Sequence, residues 1–296
     1  MFTETFWTAV GSIAAAIAVI GAFVGWIVTR RSARASRRAV NLPPKLLVRR
    51  VVDPEDEDLR AAYDVYEKEI ENESERDSFS DIQRWLDEAA IARASGDHTL
   101  DEYLLIGTVG AKVCAFFYGQ YYSSHRVFLV GYLVIDHESQ DARRATSAEM
   151  VRFMFATLGR EHPECAGVVF ELALEPGKDP RARIGKQQRF GVLARTVAHV
   201  ALKRLDFEYR QPRLSLWYPN LTEERQHLVY GRVIGPPLGT YLDKQEVAQV
   251  LDAVYNCWYG DYYQNDPSKD AEYRQYVREL HKEVVSSLPD PVPLLT

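Results

Sequence analysis

The sequence predicts an α/β domain, a mixed sheet with helices on both faces, preceded by one transmembrane helix and followed by a helical extension. Three observations carry that expectation. Residues 6–28 contain no charged side chain. Tyr103–Val109, Lys112–Tyr122 and Arg126–Ile135 are strand-like runs joined by Gly110-Ala111 and Ser123-Ser124-His125, connectors short enough for antiparallel hairpins. Between Val127 and Leu158 an apolar strand (VFLVGYLVID) leads through a polar loop into an amphipathic helix.

The first element, over residues 1–29, is the uncharged run. As a helix, Phe6–Val28 spans roughly 35 Å at about 1.5 Å per residue, enough for a hydrocarbon core of about 30 Å. A cleaved signal peptide has a basic start and a shorter apolar core, whereas this N-terminus carries Glu4 and no Lys or Arg, so an uncleaved anchor is expected. Trp7 and Trp26 stand near its ends, where indoles favour the membrane interface. Arg30, Arg31, Arg34, Arg37 and Arg38 follow, in a basic juxtamembrane linker over 30–45. By the positive-inside rule they keep the main domain on the cytoplasmic side of the inner membrane and the N-terminus outside. They would also rest on anionic headgroups. Gly21 and Gly25 form a GxxxG, a helix-pairing face for a homodimer.

The whole chain has 36 basic and 42 acidic residues, a net charge of −6. Without the first 40 residues the balance is 31 against 41, or −10, which excludes the basic footprint of a nucleic-acid-binding domain. It accords with a cationic amine as substrate. Cys114, Cys165 and Cys257 are scattered, without metal-ligand spacing, and fit a reducing compartment.

Leu46–Val52 reads as the first strand of a domain over 46–218. The acidic run Asp53-Pro54-Glu55-Asp56 opens a helix to about Glu71, and a second helix, Ser80 to Ala94, stops at Gly96. The hairpin strands come next. In the helix beyond, Met150, Phe153, Met154 and Leu158 share a face, and Thr146 with Glu149 fits a capping box. Ala166–Leu174 (AGVVFELAL) is another buried strand; Glu175 to about Phe190 is a polar loop; Val192–Leu205 has helical periodicity. Phe207–Tyr209 and Arg213–Tyr218 have strand texture. In residues 219–296, Lys244–Trp258 and Ala271–Leu288 are amphipathic, and the tail after Leu288, with Pro289, Pro291 and Pro293, reads as loose. Tyr255, Trp258, Tyr259, Tyr262 and Tyr263 cluster around Gly260, either to line a groove or partner surface or to pack the extension on the core.

A strand feeding a loop that opens onto a helix N-terminus is an anion site, because free amides and the positive end of the helix dipole converge there. Arg143 and Arg144 add always-charged planar donors suited to phosphate. The segment Gln140-Asp141-Ala142-Arg143-Arg144-Ala145 resembles the acyl-CoA-binding motif Gln/Arg-x-x-Gly-x-Gly/Ala of the GNAT superfamily of N-acetyltransferases, matching at Gln140 and Ala145. Arg143 stands where the first glycine is expected; its side chain either substitutes charge for close backbone approach or obstructs the ligand. The order of elements over 46–218 is also that of the GNAT fold. The resemblance implies acetyl-CoA or another acyl-CoA as donor, no metal, and a cofactor site at Val134, Ile135, Gln140, Arg143, Arg144, Ala145 and Thr146. Leu202-Lys203-Arg204-Leu205-Asp206-Phe207 is similar to the family's Tyr-x-x-Leu-Gly-Phe signature, with Leu202 in place of the proton-donating tyrosine.

Glu171, inside an apolar strand, is the candidate catalytic base, since burial raises a carboxyl pKa toward the range that deprotonates an ammonium. The alternative is a strand glutamate that faces outward or pairs with arginine. His199 is a further candidate donor, and Asp136, His137 and Glu138 are adjacent strand residues facing alternately, which disfavours a shared metal. Hydrolase and nucleotide-hydrolase motifs are absent. Two functions are therefore expected to compete: a membrane-anchored acyltransferase acting on an amine, and a GNAT-like module without chemistry that serves as a tethered binding or scaffold protein.

Overall fold

The computed structural model describes residues 46–70, 77–97, 99–136, 143–173, 202–213, 216–217, 224–233, 237–263 and 266–295. The anchor, its arginines and the Gly21/Gly25 pair lie outside them, as do Gln140, His137, Glu138 and His199. Among the described residues no helix is long and apolar enough to cross a membrane.

Strand β1 (Leu46–Val51) leads to helices α1 (Leu59–Glu69) and α2 (Phe79–Ser95). Ser78 caps α2 in a full capping box with Asp81, and Gly96 ends it in the left-handed region at φ 74°. Strands β2 (Leu100–Val109), β3 (Lys112–Tyr122) and β4 (Val127–Ile135) form the expected antiparallel meander with β1 at its edge. Helix α3 (Arg143–Glu161) crosses to β5 (Gly167–Ala173), which pairs parallel to β4. Then come β6 (Leu202–Leu205), β7 (Tyr209–Gln211), β8 (Glu224–Arg232) and β9 (Tyr241–Leu242). Helix α4 (Lys244–Asp252) runs into a π-helix (Ala253–Tyr259), followed by α5 (Pro267–Ser287) and β10 (Val292–Leu295).

The strands make one mixed sheet, ordered β1-β2-β3-β4-β5-β8-β6-β10-β9, with β7 also paired to β8. Its layout through β5, a mixed sheet with helices on both faces, is the one the sequence predicts. One face carries α3, whose Met150, Met154 and Leu158 pack on Phe117, Phe128 and Val168. The other carries α1 and α2, with Tyr63, Tyr66, Ile82 and Leu86 on Phe116 and Tyr118. The same sheet supplies Leu129, Val169 and Tyr230 to a third cluster beneath α4, the π-helix and α5.

Four expectations need correction. Helix α3 already includes Arg143, Arg144 and Ala145, so Thr146 lies inside the helix and does not cap it; arginine and alanine favour helix strongly enough to extend it backwards. Leu202–Leu205 belongs to a strand, not to the end of a helix over 192–205, because Leu202 pairs with Gly231 and Leu205 with Leu294. No strand forms at 213, 216 or 217, and the returning strand is β8. The C-terminal portion is not only helical. It returns β8, β9 and β10 to the sheet, and the tail expected to be loose is the strand Val292–Leu295, pairing with β6 and β9. Residues 46–296 form one compact unit.

Candidate functional site

The site begins where two strands part. β4 and β5 pair from Val127↔Gly167 to Val130↔Phe170 and then separate, although β4 continues to Ile135 and β5 to Ala173. A bulge causes the separation. Tyr118 pairs with Tyr132 and Gly119 with Val130, so Gly131 is the unmatched residue that bends β4. Glycine is required at Gly131 for a second reason: a Cβ there would lie 2.6 Å from the Trp258 indole. The π-helix thus lays an aromatic ring on β4 where the sheet opens.

Past the split, Val134 is buried beneath α1 and α2, whereas Ile135 packs toward the α3 cluster. The two expected cofactor-lining side chains therefore face opposite sides of the sheet. Arg143, Arg144, Ala145 and Thr146 make the first described turn of α3, the end at which helix amides lack intrahelical acceptors. Asp136, just beyond β4, is neutralised by Lys112 at 2.7 Å and Lys68 at 3.3 Å. Among the described residues no group of three His, Cys, Asp or Glu is arranged to hold a metal.

Glu171 is the first β5 residue past the paired stretch. It does not point freely outward, and among the described residues it pairs with no arginine. Tyr209 Oη donates to Oε1, Tyr259 Oη donates to Oε2 at 2.7 Å, and Gln211 Nε2 reaches Oε2 at 3.4 Å. Gln211 Nε2 also donates to Tyr259 Oη at 2.6 Å, and Gln226 donates to Gln211 Oε1. Burial pushes the Glu171 carboxyl upward, and the Tyr209 and Tyr259 hydroxyls pull it partly back. Both phenols are held well above their ordinary range, by burial first and by the Glu171 charge second. Tyr209, Tyr259 and Gln211 all donate toward the Glu171 carboxylate, and Gln226 fixes the Gln211 amide, so the arrangement stabilises the charged form of a buried acid.

The sequence marked Glu171 and, in the aromatic cluster, Tyr259. It did not mark Tyr209, Gln211 or Gln226, which only the pairing of β7 and β8 beside β5 brings near. The available signal was the lone acid itself, since a buried carboxyl demands donors.

No family model matches the chain, and no curated protein matches it. Solved structures do. One is described as an acetyltransferase of the GNAT family from Desulfovibrio desulfuricans, 9% identical, covering 64% of this chain and 100% of that one, with a TM-score of 0.43. An N-acetyltransferase from Staphylococcus aureus is 10% identical over 64% of this chain and 99% of its own, TM-score 0.42. The ribosomal-protein-S18-alanine N-acetyltransferase from Escherichia coli is 12% identical over 67% and 100%, TM-score 0.38. At such identities a likeness extends to fold alone, and the topology described above stands on its own strand pairings.

Proposed function

We propose that the chain is a GNAT-like acyltransferase that moves an acetyl or longer acyl group from acyl-CoA to an amine. In this reading residues 6–28 anchor it in the inner membrane, with the domain in the cytoplasm and Gly21/Gly25 as a pairing face. The observation that carries the reading is the opening between β4 and β5 with Glu171 at its edge. The donor substrate would lie in that opening, along the backbone at Val134 and Ile135. Its pyrophosphate would meet Gln140, Arg143, Arg144, Ala145 and Thr146 at the start of α3, where amides and guanidinium groups suit an anion. The thioester supplies the activated acyl group: as the C–N bond forms the C–S bond breaks, and CoA leaves as a thiolate that takes its proton from water. Glu171 takes the proton that the ammonium must lose before nitrogen can attack, and holding amine and thioester together supplies much of the rate.

Titration calorimetry of acetyl-CoA into the full chain in detergent tests this. Binding is expected in the micromolar range, typical of substrate affinities, and is expected to be lost in the Arg143→Ala/Arg144→Ala double variant. A folded chain that binds neither acetyl-CoA nor longer acyl-CoAs would refute it. A second reading, the tethered module without chemistry, is favoured by two observations. The Trp258 indole covers Gly131, and Leu202, in the position of the family's tyrosine, is buried in a strand.

A further inference from the structure

At the end of β4 opposite the opening, the turn between β3 and β4 meets the junction of α4 and the π-helix. A thiol, an imidazole and a carboxylate fall in line there. His125 Nε2 of the turn lies 2.7 Å from Oδ2 of Asp252, the last residue of α4, and His125 Nδ1 lies 3.8 Å from Cys257 Sγ of the π-helix. Asn256 Nδ2 donates to Asp252 Oδ1 at 2.6 Å and fixes the carboxylate. Burial pushes the Asp252 carboxyl up, but His125 and Asn256 outweigh it and hold the group below its ordinary range. An ionised carboxylate only accepts, so His125 Nε2 carries the proton and Nδ1 is the acceptor. That nitrogen faces two donors, Ser124 Oγ at 2.9 Å and Cys257 Sγ.

The π-helix is what brings the thiol to this line. Residues five apart stand about 140° around an α-helix, on different sides. With i→i+5 bonds, such as Gly260 N–H to the Tyr255 carbonyl at 2.8 Å, the π-helix turns Cys257 back toward the side of Asp252. Cys257 is partly exposed, as are His125 at 17% and Asp252 at 44% of their side chains, whereas Cys114 and Cys165 are buried. Burial pushes the Cys257 thiol up to about 11, with Asp261 and Asp252 reinforcing it and Arg274 of α5 opposing. From the other elements, Tyr122 of β3 and His281 of α5 face the group, both held neutral by burial. The thiol therefore keeps its proton at neutral pH, and a base must remove it at the moment of attack. His125, held in the right tautomer by Asp252, stands where that base belongs.

We propose that Cys257 is a nucleophile activated by His125 and Asp252, and that it takes an acyl group from a small acyl thioester. Cys257 Sγ attacks the thioester carbonyl as its proton passes to His125 Nδ1. The new C–S bond forms, the donor's C–S bond breaks, and the departing thiolate takes the proton back from His125. The exchange is balanced and needs no other reactant. A thioester suits such a base because its leaving group is of the same kind as the attacking one, so an imidazolium is acid enough to release it. The step uses neither Glu171 nor Arg143 and Arg144, so it stands apart from transfer to an amine.

The test incubates the full chain in detergent with S-acetyl-N-acetylcysteamine, a thioester that carries no nucleotide, at neutral pH. Peptide mass spectrometry locates and times the acetyl group. It is expected on Cys257 and on neither Cys114 nor Cys165. The rate should fall at least tenfold in His125→Gln, as loss of a general base does, and should also fall in Asp252→Asn. The rate of the parent against pH needs no variant. With His125 as base it reaches a plateau before the thiol's own ionisation begins, whereas a thiol that ionises by itself climbs without pause toward pH 11. Absence of acetyl on Cys257, its presence on Ser124 instead, an unslowed rate in a folded His125→Gln variant, or a pH profile without a plateau overturns the proposal.

Discussion

The Glu171 carboxylate is held by donors from one strand and a helix: Tyr209 and Gln211 of β7 and Tyr259 of the π-helix. Tyr209, Gln211 and Tyr259 are 38, 40 and 88 residues away in sequence, and no periodicity links residues across such distances. The contact nonetheless has a cost that can be measured. Tyr259→Phe removes the 2.7 Å donor and leaves Oε2 with the longer Gln211 contact, so urea unfolding should show a loss of about 1.5–3 kcal/mol. It should also raise the Glu171 pKa further, since Tyr259 is one of two groups lowering it. An unchanged unfolding midpoint would mean that Glu171 Oε2 is equally well satisfied without it. Glu102 gives a pH dependence of definite sign. Burial lifts its carboxyl from 4.5 to about 8, opposed by Gln120 and Tyr118 of β3 and Arg93 of α2 and reinforced by Glu88 of α2. Across that interval the folded chain holds a proton that the unfolded chain has released. This contribution is therefore complete below pH 4.5, declines as pH rises, and is gone above about 8. At about 1.4 kcal/mol per unit it amounts to no more than a few kcal/mol. Relative to the parent, Glu102→Gln should gain stability as pH rises from 5 to 9, and a parallel pair of stability-versus-pH curves would contradict the assignment.

At the scale of elements, periodicity located β1 through β5 and the three helices between them, because each has enough residues to display a period; caps were a poorer guide, since α1 begins at Leu59, past the acidic run 53–56 and without a side-chain cap, and α3 begins ahead of Thr146. Leu202–Leu205 defeated the same reasoning for a physical reason. Its buried residues fall at the first and fourth positions, a spacing that one helical turn and a short two-sided strand share. The bulge at Gly131 was also beyond reach, since a lone glycine in a strand announces irregularity without saying which residue it admits. The structure supplies that residue, Trp258. In Gly131→Ala the indole must shift, and overpacking of this kind costs about 1–3 kcal/mol. Trp258→Ala, which makes room at the same place, should absorb most of that cost. The double variant is then less destabilised than the two single effects added together, as a double-mutant cycle by chemical denaturation would show. Strict additivity would place the two residues out of contact.

For the molecule as a whole, the decisive feature is that the chain after residue 218 belongs to the sheet and is not appended to it. β8 lies between β5 and β6, pairing with β5 along its whole length from Gly167↔Arg232 to Ala173↔Gln226. Its sequence, ERQHLVYGR, reads as polar because the strand spends Gln226, His227 and Arg232 on site and edge contacts, and so it did not announce a central strand. α4, the π-helix and α5 then cover Val169, Leu228 and Tyr230, and Arg232 closes the arrangement on Glu246 of α4 at 2.6 and 2.7 Å. Two truncations separate the contributions. A chain ending at residue 218 lacks β8 and leaves β5 as an unpaired edge, so it should not unfold cooperatively at all. A chain ending at residue 236 keeps β8 but exposes the apolar surface under the helices and removes Tyr259 from Glu171. It should bind hydrophobic dye and melt well below the full chain. If the chain ending at 236 instead melted at the temperature of the full one, the C-terminal helices would be dispensable, and Glu171 would have to be satisfied by Tyr209 and Gln211 alone.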